Sequence, residues 1–263
     1  MDMKKLGEKT LFHLSLAGIF FLGLYWIMFV GRSNPSGLKT IGEIDPPSGY
    51  ERVNVGKGSF GEFLREFPLK GKGSRVRYYN GYRAIGQYLS YAVLDLQMIS
   101  PIEQCADAVM RLRSEYLFHI GDRDSIRFRS VGGEDMVYGG SPDRGELYKY
   151  LRKVYDRANT SSLRREMLPR SFGSVSPGDV LVYAAPSKGR LGHAVLVADV
   201  AEDPVTGKKA LLLVQSSTPA RTVHVIRNVF HPSNSPWVIV DDASDGVKVS
   251  GIRFRKDDLR TWR

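Results

Sequence analysis

Cys105 is the only cysteine in the 263-residue chain. A thiol can attack a carbonyl carbon, but it needs a base to take its proton, and the base needs a partner that orients it. Of the five histidines, His193 fits that role best. It opens the apolar run LGHAVLVADV directly after Gly192, a position that offers a rigid strand for the base and space for a ligand. The next connection, AEDPVTGK, reads as a hairpin loop. Paired about Pro204, the hairpin brings Gln215 or Ser216 opposite His193, on the side of the sheet that the register decides. A glutamine there would accept from imidazole Nδ1–H and hold the ring in one tautomer. His224, on a later strand, is the reserve base. His119 falls beyond the reach of the cysteine, His231 precedes a proline in a loop, and His13 lies in an N-terminal apolar run.

These side chains need elements to position them. In SPIEQCADAVMRLRSEYL, Ser100 can cap, Pro101 suits the first helical position and Glu103 completes a capping box. Ile102, Cys105, Val109, Leu112 and Tyr116 then share one helical face. Taken alone, that stripe describes a buried cysteine, the commoner fate of the residue. A short helix is predicted in GSFGEFLREF, a hairpin in RVRYYNGY with its turn at Asn80-Gly81, and strands at residues 91–96 and 125–131. A second amphipathic helix is predicted over 145–159. Beyond Pro177 come short apolar runs divided by turn residues: GDVLVYAA, LGHAVLVADV, KALLLVQSS, RTVHVIRN and PWVIVDD. Such a series makes an antiparallel meander, so the chain reads as α+β, helices first and sheet second.

Residues 1–10 carry three lysines, and Leu11 to Val30 runs without a formal charge. That is long enough to cross a bilayer as a helix. Residues 11–30 are therefore expected to be a signal anchor, with a cleaved export signal as the alternative. Residues 31–50 are expected to be a linker, and residues 51–263 a single domain outside the cytoplasm on the periplasmic side, or secreted if the signal is cleaved. A lone cysteine there forms no internal disulfide and no paired metal motif. The net charge of +10 is scattered and accompanies no nucleic-acid motif, so no nucleic-acid partner, cofactor or metal is expected. Asp179 and Asp199 read as turn or salt-bridge residues, and Asp241-Asp242 as a solvated turn. The glycine-rich 132–140 segment reads as a mobile loop, and Tyr91 and Gln97 as residues near an oxyanion site or in the core.

A helix near a cysteine, then GDVLVY, then GHAVLVADV, then a strand ending in a polar residue resembles the papain-like fold of NlpC-type and CHAP-type amidases. That resemblance implies helices packed on an antiparallel sheet. It implies Cys105 as nucleophile, His193 as base and Gln215 as orienting residue, with cell-wall peptide or another amide polymer as substrate. Here Glu-Gln-Cys-Ala stands where those enzymes have Asp-Cys-Ser/Gly. The longer stretches GSFGEFLREFPLK, QCADAVMRLRSEYL and LLLVQSSTPARTVHVIRN, with the GDV–GHAV segment, are similar to an exported bacterial family known as domain-of-unknown-function family 4846. Two functions follow as expectations: a membrane-tethered cysteine amidase or peptidase, or a catalytically inactive papain-like module for binding or envelope assembly.

Overall fold

The computed structural model describes residue 34 and residues 36–184 and 191–263. Its helices are α1 (Phe60–Glu66), α2 (Cys105–His119), α3 (Arg144–Arg157) and α4 (Thr160–Glu166). The strands of the first half are β1 (Glu51–Arg52), β2 (Ser90–Val93), β3 (Arg127–Arg129), β4 (Asp135–Val137) and β5 (Leu168–Pro169). Then come β6 (Val180–Tyr183), β7 (His193–Glu202), β8 (Lys209–Gln215), β9 (His224–Ile226) and β10 (Val238–Val240). The chain closes with β11 (Gly246–Val249), β12 (Ile252–Arg255) and β13 (Leu259–Thr261).

The main sheet has nine strands, with the path β2-β9-β8-β7-β6-β13-β5; β1 adds to β7 and β10 to β8. All its pairings are antiparallel. The strands β7 and β8 are buried on both faces, which explains their near-continuous apolar sequence. On one face Ala194, Leu196, Leu212 and Val214 join α1, α2 and α3 in the larger core cluster. On the other, Val195, Val197, Leu211 and Leu213 pack beneath the β11–β12 hairpin with Val247, Val249 and Phe254. The β6–β9 meander is the one expected; the β11–β12 hairpin and β13 have no counterpart in the sequence reading.

A bulge between Val197 and Asp199 shifts the β7–β8 register by one residue. Below it Ala201 faces Ala210, above it Leu196 faces Val214. Without the extra residue, Gln215 would continue opposite Leu196 and turn to the helical face. Asp199 fixes the bulge. Its buried carboxylate accepts from Arg52 Nε and Arg65 Nε, each at 2.8 Å, and from the Val200 amide at 2.8 Å. The salt-bridge reading of Asp199 therefore holds, and it sets the register of the strands that carry His193 and Gln215.

The expected fold needs correction in three places. An α+β chain with a large antiparallel sheet is found, but the papain-like domain preceded by a transmembrane helix is not: no helix of the described residues is long and apolar enough to cross a membrane. The segment 11–30 assigned to that helix lies outside the described residues. The segment expected as a linker contributes Ile41 and Ile44 to the core, and the Asp45 carbonyl accepts from Trp237 Nε1 at 2.7 Å. Finally, the glycine-rich 132–140 segment includes β4, which pairs with β3.

Candidate active site

Cys105 is the first residue of α2, four residues later than a Pro101 start places it. Glu103 and Ser100 precede the helix: the Glu103 carboxylate accepts from the Ile99 amide at 2.7 Å, and the Glu103 amide bonds to the Ser100 carbonyl at 3.2 Å. The cap is made by Asp107, whose Oδ2 accepts from the Gln104 amide at 2.8 Å. A thiol at the first position of a 15-residue helix lies where the unpaired N–H groups and the helix dipole favour an anion most. The Cys105 residue is nonetheless 5% exposed. Burial raises its thiol pKa; the N–H groups of Ala194, Ala106 and Cys105 itself act in the opposite direction, with less effect.

The His193 and Gln215 side chains meet. Gln215 Oε1 lies 2.8 Å from His193 Nε2, so it accepts the Nε2 proton rather than the Nδ1 proton expected. Nδ1 is then the basic nitrogen of the neutral ring. The amide itself is oriented from behind. His224, paired with Gln215 across β8 and β9, donates from Nδ1 to the Thr222 carbonyl at 3.0 Å. Its Nε2 therefore accepts from Gln215 Nε2, 3.4 Å away. Ser250 Oγ accepts from the same Gln215 nitrogen at 3.0 Å. Ser250 and Gly251 have φ of 49° and 85° in the turn between β11 and β12. That is the conformation of a tight hairpin turn which serine seldom adopts, and it holds the hydroxyl over the amide. Burial lowers the basicity of His193, opposed by its Gln215 bond, while the Arg221 charge lowers it further. His224, fully buried, is pushed down to about 4, mainly by desolvation.

Strand alternation separates the two halves of the site. His193, Gln215 and His224 point to the face of the β11–β12 hairpin, where the His193 ring lies 6.1 Å from that of Phe254. The α2 helix packs on the other face, against Ala194 and Leu196. The start of α2 lies towards the start of β7, where the Ala194 amide, next to His193, acts to lower the thiol pKa. Two further contacts tie the start of α2 to the connection that follows Gln215. Thr218 Oγ1 donates to Gln104 Oε1 at 2.7 Å, and Ser216 Oγ, whose proton goes to the Arg221 carbonyl at 2.7 Å, stands 3.4 Å from the Glu103 carbonyl. Ser216, the alternative to Gln215, is thus used in holding this connection. His119 ends α2 with its ring against Phe63, and His231 precedes a 3-10 turn; both are outside the site.

Sequence reasoning missed the charged side of α2. Glu103, Asp107, Arg111 and Glu115 recur every four residues, and all are buried. Arg111 Nε donates to Glu115 Oε1 at 2.7 Å, while its Nη1 stands 3.6 Å from Glu103 Oε1. The guanidinium also lies over the Tyr148 ring at 4.4 Å. Desolvation raises the Asp107 carboxyl to about 7. The spacing of four was visible in the sequence, but a charged stripe normally marks a solvated face. Of the other candidates, Asp179 Oδ2 accepts from the Ser176 amide at 2.8 Å, and Asp242 from the Gly173 amide. Among the described residues no group of His, Cys, Asp and Glu is arranged to hold a metal ion.

Fold and site together define an α+β protein with a helix-terminal thiol on one side of an antiparallel sheet and a histidine–glutamine pair bridging two neighbouring strands on the other. Residues 41–140 and 139–261 match the family described as Domain of unknown function (4846), and the chain belongs to that family. No curated protein and no solved structure matches it.

Proposed function

We propose that the chain is a cysteine hydrolase of amide bonds, with Cys105 as nucleophile, His193 as base and Gln215 as the residue that orients the base. The observation that supports this most is the 2.8 Å contact between Gln215 Oε1 and His193 Nε2, which leaves Nδ1 as the basic nitrogen. In the reaction the sulfur bonds to the carbonyl carbon and the thiol proton passes to His193 through an intervening water, since the helix and the imidazole lie on opposite faces of the sheet. The C–N bond then breaks, and His193 returns the proton to the leaving amine. Water cleaves the thioester, releasing the acid and restoring the thiol. The N–H groups around the sulfur are placed to stabilise the oxyanion. Burial raises the thiol and lowers the imidazole, so the resting pair is neutral and the proton moves only as the bond forms.

The order of nucleophile, base and polar residue, shared with papain-like amidases, supports wall peptide or a similar amide polymer as substrate, met outside the cytoplasm. A second reading, a binding or envelope-assembly module without turnover, is favoured by the burial of the thiol. Alkylation separates the two. Iodoacetamide should label Cys105 in the folded protein at neutral pH, and His193→Ala should slow labelling by about 100-fold, the lower end of general-base effects. A folded protein whose Cys105 stays unlabelled would sink the hydrolase.

A further inference from the structure

The connection between β8 and β9 carries Arg221. No carboxylate among the described residues forms an ion pair with Arg221. Among the described residues its Nε is buried without a hydrogen-bond partner, and the only hydrogen bond of its side chain is a long one of 3.4 Å from Nη1 to the Ile85 carbonyl. The guanidinium rests on the Tyr78 ring, 5.3 Å from the centroid, and is therefore held in place without being neutralised.

The position is close to the proposed reaction site. Ser216 Oγ donates to the Arg221 carbonyl at 2.7 Å, and Thr218 of the same connection holds Gln104, the residue before Cys105. The Arg221 charge bears on both His193 and His224, lowering the basicity of each. A strap formed by residues 76–84 runs alongside: Tyr79 N bonds to the Ala220 carbonyl at 3.3 Å, and Thr222 N to the Arg77 carbonyl at 2.9 Å. The segments 67–94 and 204–240, which build this side, contain no aspartate or glutamate. On the strap, Tyr79, Tyr82 and Ile85 are 48%, 74% and 49% exposed.

A planar guanidinium with unused donors, held against a ring and without an ion pair among the described residues, matches a carboxylate. We infer that Arg221 anchors a carboxylate of the substrate beside Cys105, so that the hydrolase acts on acidic peptides whose scissile amide neighbours a free carboxyl group. The exposed tyrosines of the strap supply the surface along which the rest of such a peptide lies. This assignment rests on the hydrolase reading and narrows it to one substrate class.

The test compares two alkylating reagents that differ in charge, iodoacetate and iodoacetamide, on the full-length protein. Relative to free cysteine, Cys105 should favour iodoacetate. Arg221→Gln should lower the iodoacetate-to-iodoacetamide rate ratio by about tenfold, the worth of one charge-assisted hydrogen bond, while Arg221→Lys keeps part of it. A ratio unchanged by Arg221→Gln, or no higher than that of free cysteine, overturns the anchor. Should Arg221→Gln fail to fold, the wild type still decides. Glutarate should slow iodoacetamide labelling of Cys105 and glutaramide should not, and equal effects overturn the anchor. If Cys105 reacts with neither reagent, the hydrolase fails while the anchor is read separately by NMR. A glutarate-dependent shift of the Arg221 Nε–H signal supports the anchor, and its absence overturns it.

Discussion

Two buried polar groups lie on opposite faces of the same sheet. On the helical face, Glu103, Asp107, Arg111 and Glu115 form a charged stripe along α2. On the hairpin face, His193, Gln215, His224 and Ser250 form a neutral chain of imidazole, amide and hydroxyl. Charges taken out of water need partners, and losing one partner strands the other. Neutral dipoles cost less to bury, and in sequence they fix where a proton sits. The charged stripe accordingly locks the start of α2 in place, while the neutral chain selects the tautomer of His193. Both serve the same few ångströms at the end of β7.

The largest effect is expected where the charged group is broken. Arg111→Ala strands Glu103 and leaves Glu115 with Arg144 alone, and should cost about 3–5 kcal/mol in urea unfolding. A loss under about 1 kcal/mol would mean the stripe is solvated, as sequence alone suggests. Breaking the neutral group is milder. Gln215→Leu leaves His193 Nε2 and His224 Nε2 without their partner and should cost about 1–3 kcal/mol. It should also slow Cys105 labelling, whereas a purely structural glutamine leaves the labelling of the folded fraction unchanged.

The two groups should also bend the pH–stability curve in opposite directions within one window. The Asp107 carboxyl is raised to about 7 in the fold, so the native state holds a proton that the unfolded chain releases at lower pH. Its contribution is present at acid pH and is lost as pH rises toward and through 7. The His224 ring is lowered to about 4, so the unfolded chain takes up a proton that the native ring refuses. Stability is lost as pH falls from about 6.5 toward 4, the reverse sign. Asp107→Asn keeps an acceptor for the Gln104 amide and should stabilise the protein relative to wild type progressively from pH 4 to 8. His224→Gln should remove part of the acid-side loss. Parallel curves for either variant and the wild type would remove the assigned group from the linkage.

The smallest expected effect is at Ser250. Replacing it with glycine relieves the positive φ but deletes one of the two acceptors of Gln215 Nε2, so stability should change by less than about 1 kcal/mol. The labelling rate, which depends on the amide orientation, should fall more clearly than stability.

Much of this arrangement was legible beforehand because it rests on short-range rules. The apolar runs of β6 to β9 and the helices α1 and α3 follow from periodicity and turn residues in the sequence, which left Gln215 and Ser216 as alternatives opposite His193. The start of α2 did not: Ser100, Pro101 and Glu103 satisfy a capping pattern, yet the Glu103 carboxylate is drawn instead to the Ile99 amide and to Arg111. The hold of Asp199 on the bulge and the roles of Ser250 and Arg221 were hidden for the same reason. Each depends on a partner distant in the chain: Arg52 and Arg65 for Asp199, Gln215 for Ser250, and Tyr78 for Arg221.

The sequence by itself determined the strands β6 to β9, their order and the choice of Cys105 and His193 for the proposed chemistry, because alternation and turns are written locally. Only the tertiary structure decided that a bulge held by Asp199 turns Gln215 toward His193, and that α2 begins at the thiol itself. Those outcomes depend on register and on the burial of charge, and both are settled by contacts between residues far apart in the chain.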